Sequence, residues 1–337
     1  MTETMMAAVL EEYGSPLVVK RVAKPSAGPG QLLIRLEASG VCHSDVHIWE
    51  GGYTPATLPE PFILGHEGVG VVEAVGAGVT GWRVGDRAGA AWLHDTCGTC
   101  AQCRAGLPNF CQAQRAHGLD VPGTFAEYVV TNANFTARVP TGEATGLAPL
   151  MCAGLTAFGA LDRAALAPGE CCAVFGCGGL GQYAIQFAKR RGARVIAVDR
   201  DPAKRALSQE NGAAVAVDGG DTDEIEKLRA SADVCVNFAP TTATWQPMLD
   251  VVRPLGRVVA AAMVSEPVPL NQEWLTGAGI TITGTSVGTM AQMEALMQVQ
   301  AADPLTSSVT EIPLSEVSRA LRELAEGRAP ARYAIRF

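Results

Sequence analysis

Residues 171–181, Cys171-Cys172-Ala173-Val174-Phe175-Gly176-Cys177-Gly178-Gly179-Leu180-Gly181, pass from an unbroken apolar run directly into G-x-G-x-x-G. The apolar run predicts a strand buried on both faces, and the stretch from Leu180 to Arg191 beyond the glycines predicts a helix. Between strand and helix the glycines permit a tight turn, close approach of the backbone to a pyrophosphate, and close packing of helix on strand. Gly176, Gly178, Gly179, Leu180 and Gly181 are therefore candidate cofactor-binding residues, with free N–H groups at the helix start facing the phosphates. The next predicted strand, Arg194 to Val198, ends in Asp199. A carboxylate there accepts hydrogen bonds from an adenosine ribose 2′-hydroxyl and repels a 2′-phosphate, which selects NAD over NADP. Arg200 beside it would instead attract such a phosphate.

Outward from this loop the chain alternates. Helices are expected at Pro202 to Glu210, Thr222 to Ala230 and Thr244 to Val252. Strands are expected at Ala214 to Val217, Val234 to Phe238, Arg257 to Met263 and Ile280 to Gly284. Strands alternating with helices of this length predict an α/β, doubly wound parallel sheet covered on both faces. The first 150 residues differ: short alternating runs such as Leu32-Leu33-Ile34-Arg35-Leu36 and Val69-Gly70-Val71-Val72-Glu73 are broken by Gly and Pro, a mostly β texture. A helix at Met290 to Ala301 and a last short α/β piece fit neither half. The expected domains are 1–153 with 288–337, and 154–287.

With 337 residues, 48% of them hydrophobic and 18% charged, the chain has material for two folded cores. A formal charge of −8 and the lack of a Lys/Arg block disfavour a nucleic-acid surface. Met1 to Leu10 lacks a secretory pattern, and the longest strongly apolar run, Val258 to Val264, is too short for a bilayer. A cytoplasmic protein with no membrane partner is the expectation, and reduced thiols there favour metal binding over disulfides.

Cys97, Cys100, Cys103 and Cys111 spell C-x2-C-x2-C-x7-C. Four thiolates in so short a span can close a tetrahedral shell around a structural Zn²⁺, the alternatives being plain buried cysteines or two disulfides. Elsewhere stand Gly40-Val41-Cys42-His43-Ser44-Asp45-Val46-His47, Gly65-His66-Glu67-Gly68 and Met151-Cys152-Ala153-Gly154. Thiolate, imidazole, thiolate is a three-ligand set that leaves one zinc position open, although single Cys and His residues also serve as ordinary core.

These motifs, with G-T-F-A-E-Y at 123–128, C-A-G-L-T at 152–156 and G-T-S-V-G-T at 284–289, resemble the zinc-dependent alcohol dehydrogenases of the medium-chain dehydrogenase/reductase family. The resemblance covers essentially the whole chain. It implies a GroES-like, mostly-β catalytic domain carrying a structural-zinc lobe at 97–111, plus a Rossmann cofactor domain. It implies two zinc ions per chain and NAD, and reversible hydride transfer between a primary or secondary alcohol and NAD, giving an aldehyde or ketone. A polyol or dedicated biosynthetic alcohol is the alternative substrate.

Residue by residue, the resemblance makes Cys42, His66 and Cys152 the catalytic-zinc ligands, with Glu67 behind the metal and Asp45 hydrogen-bonded to His66. Ser44 and His47 resemble the family's proton relay, and His43 its contact to the cofactor phosphate. Lys204 resembles a second adenosine-ribose contact, and Arg332 lies in a segment that faces the cofactor in the family. Tyr53 and Trp92 would line a narrow substrate slot. Two departures, Met290 where many relatives carry Arg and Ala331 where many carry Gly, concern the cofactor side. Cys171, Cys172 and Cys235 read as core, whereas Cys177 in the glycine loop reads as open to oxidation. The β-branched, uncharged edge Ile280 to Val287 predicts pairing with a second copy, in a homodimer or homotetramer.

Overall fold

The computed structural model describes residues 3–52, 61–268, 270–329 and 331–337. Tyr53 lies outside them. The chain forms two compact units, Met1–Ala153 with Thr289–Phe337, and Gly154–Gly288.

In the second unit the strand Cys171–Phe175 is central to a six-stranded parallel sheet. Arg194–Val198 and then Val215–Val217 lie on one side, and Ala232–Asn237, Val252–Ala260 and Thr281–Gly284 on the other. Strand order therefore reverses at Cys171–Phe175, the arrangement that opens a ligand crevice at the C-terminal ends of the strands. Phe175 is in register with both Val198 and Asn237, so the ends of the three strands that carry the glycine loop and Asp199 are level. The apolar run reads as it does because all five residues are buried, with Phe175 packed among Ile196, Val198, Cys235 and Val258.

One strand is shifted from its expected place. Instead of running from Arg257 to Met263, it spans Val252–Ala260. Its neighbour Ala232–Asn237 offers a partner at the near end, Ala232 opposite Val252, and none beyond Asn237 opposite Ala260. The ladder absorbs Arg253-Pro254-Leu255 as a bulge in which Leu255 has φ +63°, while Met263 is left outside and exposed. The helix Gln272–Ala278 was not expected from sequence. Its signals are local: Asn271 caps the Trp274 N–H at 2.9 Å, and Gly279 at φ +63° ends it.

In the first unit the long strand Gln31–Val41 organises a seven-stranded, largely antiparallel sheet. Glu67–Val75 pairs along one side, and Tyr128–Asn132 and Arg332–Arg336 share the other. Leu32, Ile34 and Leu36 point to one face and pack on Val72, Ala88, Ala90 and Val129, which is the period-two pattern of their sequence. The tail contributes Arg332–Arg336, paired antiparallel to Ala38–Val41, and Val309–Ile312 beside it. Among the described residues no single helix is long and apolar enough to cross a membrane.

Candidate active site

The pairing of Gly40 with Glu67 places Cys42, just past the end of one strand, beside His66, one residue before the other. Cys42 caps the seven-residue helix His43–Trp49, and Cys152 follows the turn Ala148–Met151. Ligand-type atoms of Cys42, His66, Glu67 and Cys152 all lie within 4.8 Å of one another, and all four residues are buried. Cys42 Sγ and Cys152 Sγ are 4.0 Å apart. Two thiolates sharing a tetrahedral zinc at about 2.3 Å each would stand roughly 3.8 Å apart. His66 Nε2 and Glu67 Oε1 are buried with no hydrogen-bond partner, a costly condition for polar atoms that a metal ion would relieve.

Asp45 orients this group from behind. Its Oδ2 accepts the Cys42 N–H at 2.8 Å, and its Oδ1 lies 2.9 Å from His66 Nδ1. Held on that side, the imidazole offers Nε2 to the cluster. Burial pushes the Glu67 carboxyl up to about 7, against the pull of Arg332, whose guanidinium pairs with it. Arg332 thus sits on Glu67, at the back of the ligand-type group. Trp92 stands edge-on to His66, with ring centroids 5.0 Å apart. His43 and His47, one turn apart on their helix, are also in edge contact at 5.0 Å. Burial, and then the neighbouring His47, hold His43 below the usual imidazole range. Ser44 is half-buried on the same short helix.

A second group is formed by Cys97, Cys100, Cys103 and Cys111, whose sulfurs also lie within 4.8 Å of one another. The chain folds around them: the Cys100 N–H points at Cys97 Sγ at 3.3 Å and the Cys103 N–H at Cys100 Sγ at 3.4 Å. Backbone N–H groups of Thr99 and then Cys100 draw the Cys97 thiol down to about 6. N–H groups directed at sulfur favour thiolates, the form a metal requires. All ten cysteines are free, so the disulfide alternative does not hold.

In the second unit Gly176 has φ +84°, and a Cβ there would lie 2.6 Å from the Ala239 nitrogen. A Cβ on Gly181 would lie 2.2 Å from the Gly176 carbonyl, whereas one on Gly178 would meet nothing within 4 Å. The outer two glycines are thus required by packing, and the middle one borders open space of the kind a pyrophosphate needs. The helix begins at Gly179. Asp199 Oδ2 accepts the Cys177 N–H at 2.7 Å and Oδ1 accepts the Asp201 N–H at 2.9 Å, so the carboxylate joins the glycine loop to the residue that caps the next helix. Lys204 lies on the following helix, its ammonium 3.9 Å from Asp201. Cys177 is not open to oxidation as its place in the loop suggested. Its sulfur is buried against the Val174 and Val198 carbonyls, and burial raises its thiol to about 12. Sequence reasoning missed Gln182, whose Nε2 donates to the Cys177 carbonyl at 2.8 Å and to Ser208 Oγ at 3.1 Å, tying loop to helix. A polar residue directly after the last glycine, in the first turn of the helix, was the available signal.

Residues 28–141 match the family described as alcohol dehydrogenase GroES-like domain, and residues 179–302 match zinc-binding dehydrogenase. An alcohol dehydrogenase of Moraxella sp. is 36% identical over 337 residues, covering 99% of each chain. Among solved structures, the cobalt- and zinc-bound thermostable alcohol dehydrogenase of Pyrobaculum aerophilum has a TM-score of 0.89 at 30% identity, covering 99% of this chain and 100% of that one. Acetophenone reductase of Geotrichum candidum in complex with NAD has a TM-score of 0.87 at 29% identity, covering 100% and 98%. The chain belongs to the zinc-binding alcohol dehydrogenases of the medium-chain dehydrogenase/reductase family.

Proposed function

We propose that this protein is an NAD-dependent zinc alcohol dehydrogenase that interconverts a primary or secondary alcohol and its aldehyde or ketone. The observation that carries the reading is the buried set Cys42, His66, Glu67 and Cys152, in which Asp45 orients His66 and His66 Nε2 lacks a partner. Cys42, His66 and Cys152 would hold one zinc, and the four cysteines 97, 100, 103 and 111 a second, structural one. When bound, zinc supplies a Lewis acid for the substrate oxygen and NAD a hydride acceptor.

The chain's own residues do the rest. Asp45 fixes the ring and tautomer of His66 through Nδ1, which keeps the ligand geometry tight. Glu67, neutralised by Arg332, stays behind the ligands without adding a full negative charge to a buried centre. Ser44 and His47 would carry the hydroxyl proton outward, and His43 would contact the cofactor phosphate. Trp92, edge-on to His66, narrows the approach and favours slim or flat alcohols. Gly178 and the helix start at Gly179 receive the pyrophosphate. Asp199 would accept from the adenosine ribose, with Lys204 on the following helix as a second ribose contact, and so favour NAD over NADP. The ten free cysteines suit a reducing compartment, the cytoplasm, and the edge strand Thr281–Gly284 suits a homodimer or homotetramer.

Metal analysis and an NAD-linked assay across a panel of alcohols and aldehydes test the reading together. Two zinc per chain are expected. Cys42→Ser should lose one zinc and nearly all turnover with the fold intact, and Cys100→Ser should lose stability first. His47→Gln should slow oxidation more at neutral pH than at high pH, where hydroxide takes the proton. No zinc, or no NAD-linked turnover with any member of the panel, defeats the proposal.

A further inference from the structure

Past Asp199 the chain reads Arg200-Asp201-Pro202-Ala203-Lys204-Arg205, and the two arginines lie differently. Arg205 stands in the helix Pro202–Glu210, whose first turn is capped by Asp201. One of its guanidinium nitrogens, Nη1, reaches three oxygens: the Asp199 carbonyl at 2.9 Å, the Arg200 carbonyl at 2.9 Å and Asp218 Oδ2 at 3.2 Å. Asp218 follows the neighbouring strand Val215–Val217 and is itself held, its N–H donating to Glu224 at 2.7 Å and its Oδ1 accepting the Gly220 N–H at 2.8 Å. Arg205 thus ties together the C-terminal ends of two adjacent strands at the rim where Asp199 sits. Arg200 is exposed, and its Nε lies 3.6 Å from where a Gly220 Cβ would be, so its side chain runs along the turn after Asp218.

We infer that Arg205 is the positioning residue of the nucleotide-selecting carboxylate. The inference rests on the reading of Asp199 as the ribose-facing group. Both Asp199 oxygens already accept a backbone N–H, so the direction left for ribose hydroxyls depends on where the Asp199–Arg200 peptide is held. Carbonyls gathered by a cation cannot turn without leaving it, and charge-assisted hydrogen bonds of this kind are the stronger sort. The same contacts occupy Arg205 itself. One nitrogen of this cation, six residues past the carboxylate in sequence, is engaged by three protein oxygens. Arg205 therefore favours NAD by aiming Asp199.

The test is direct binding of NADH and NADPH by nucleotide fluorescence, with turnover and melting temperature, on the zinc-loaded protein. Wild type must first bind NADH more tightly than NADPH; the opposite order overturns the cofactor reading itself, a different failure from the one below. Arg205→Met is expected to weaken NADH binding about tenfold and to narrow the NADH-to-NADPH preference, with turnover at saturating NAD within about twofold. Arg205→Lys, whose ammonium can serve the same oxygens, should restore NADH binding to within about threefold of wild type. A merely structural arginine would lower the melting temperature of Arg205→Met and leave NADH binding and preference unchanged, and that result overturns the inference. Should Arg205→Met fail to fold, Asp218→Asn removes the anchoring charge alone. It should weaken NADH binding about threefold, and an unchanged affinity there overturns the inference equally.

Discussion

A buried pair of imidazoles lies outside both groups of ligand-type residues. His117 Nδ1 is 2.7 Å from the Ala91 carbonyl and its Nε2 is 3.1 Å from His94 Nδ1. Nε2 also lies 3.4 Å from the Val130 carbonyl, but the Ala91 carbonyl is much the nearer and a carbonyl only accepts, so a neutral His117 carries its proton on Nδ1 and accepts from His94 through Nε2. Burial, and then the neighbouring His94, bring His117 down to about 3 from its ordinary 6.5. The sign follows: the unfolded chain takes up a proton below pH 6.5 that the native state refuses until about pH 3. Its contribution to stability is present above 6.5 and is lost as pH falls through that window, at up to about 1.4 kcal/mol per unit. His117→Asn keeps a donor near Nδ1 but does not titrate. Urea midpoints measured between pH 6.5 and 5 should fall less steeply for the variant; parallel slopes would show that His117 does not resist protonation. Neither histidine stood out in the sequence, because nothing in residues 91–121 announces that two rings will share one hydrogen bond. Cys42, His66 and Cys152 were legible for the opposite reason, since each sits in a run that carries a resemblance.

At the level of elements, the glycine loop shows how one motif contains separable constraints. Gly181→Ala drives a methyl toward the Gly176 carbonyl, 2.2 Å from its ideal position, and has no flexible neighbour to displace. Overpacking of this kind costs about 1–3 kcal/mol, so this variant should melt earlier and bind NADH poorly. Gly178→Ala places its methyl in open space and should keep the wild-type melting temperature while weakening NADH binding. Calorimetry beside a binding titration separates the two, and a Gly178→Ala protein with undiminished NADH affinity would remove the pyrophosphate from that loop. Apolar runs and glycines placed the strand Cys171–Phe175 within its observed bounds. The strand Val252–Ala260 was misplaced because its start is set by a partner at Ala232 and by a bulge around Pro254, both pairing events that local propensity does not encode.

For the whole molecule, the expected next level is self-association through Thr281–Gly284. This strand occupies an edge of the six-stranded sheet and pairs on one side with Arg257–Ala260, with no further strand beyond it among the described residues. Thr281, Ile282, Thr283 and Gly284 carry no charge to guard that edge. Sedimentation at micromolar concentration should show a dimer or tetramer. Ile282→Lys on that strand should shift it toward monomer, whereas a wild type that sediments as a monomer would defeat the expectation.

By itself the sequence determined what depends on short-range pattern. The alternation from Cys171 onward called for a parallel sheet, the glycines called for a turn into a helix, and the spacing of Cys97 to Cys111 brought four sulfurs within reach of one point. Tertiary structure decided what depends on contacts between distant residues. The register of Gly40 against Glu67 put Cys42 beside His66, and the return of the tail as Arg332–Arg336 set Arg332 on Glu67. Parallel pairing of Arg194–Val198 with Val215–Val217 brought Asp218 under Arg205. The physical reason is the same in each case: a side chain's chemistry is carried by its own residue, but its charge partners and its direction are supplied by strands that only folding makes neighbours.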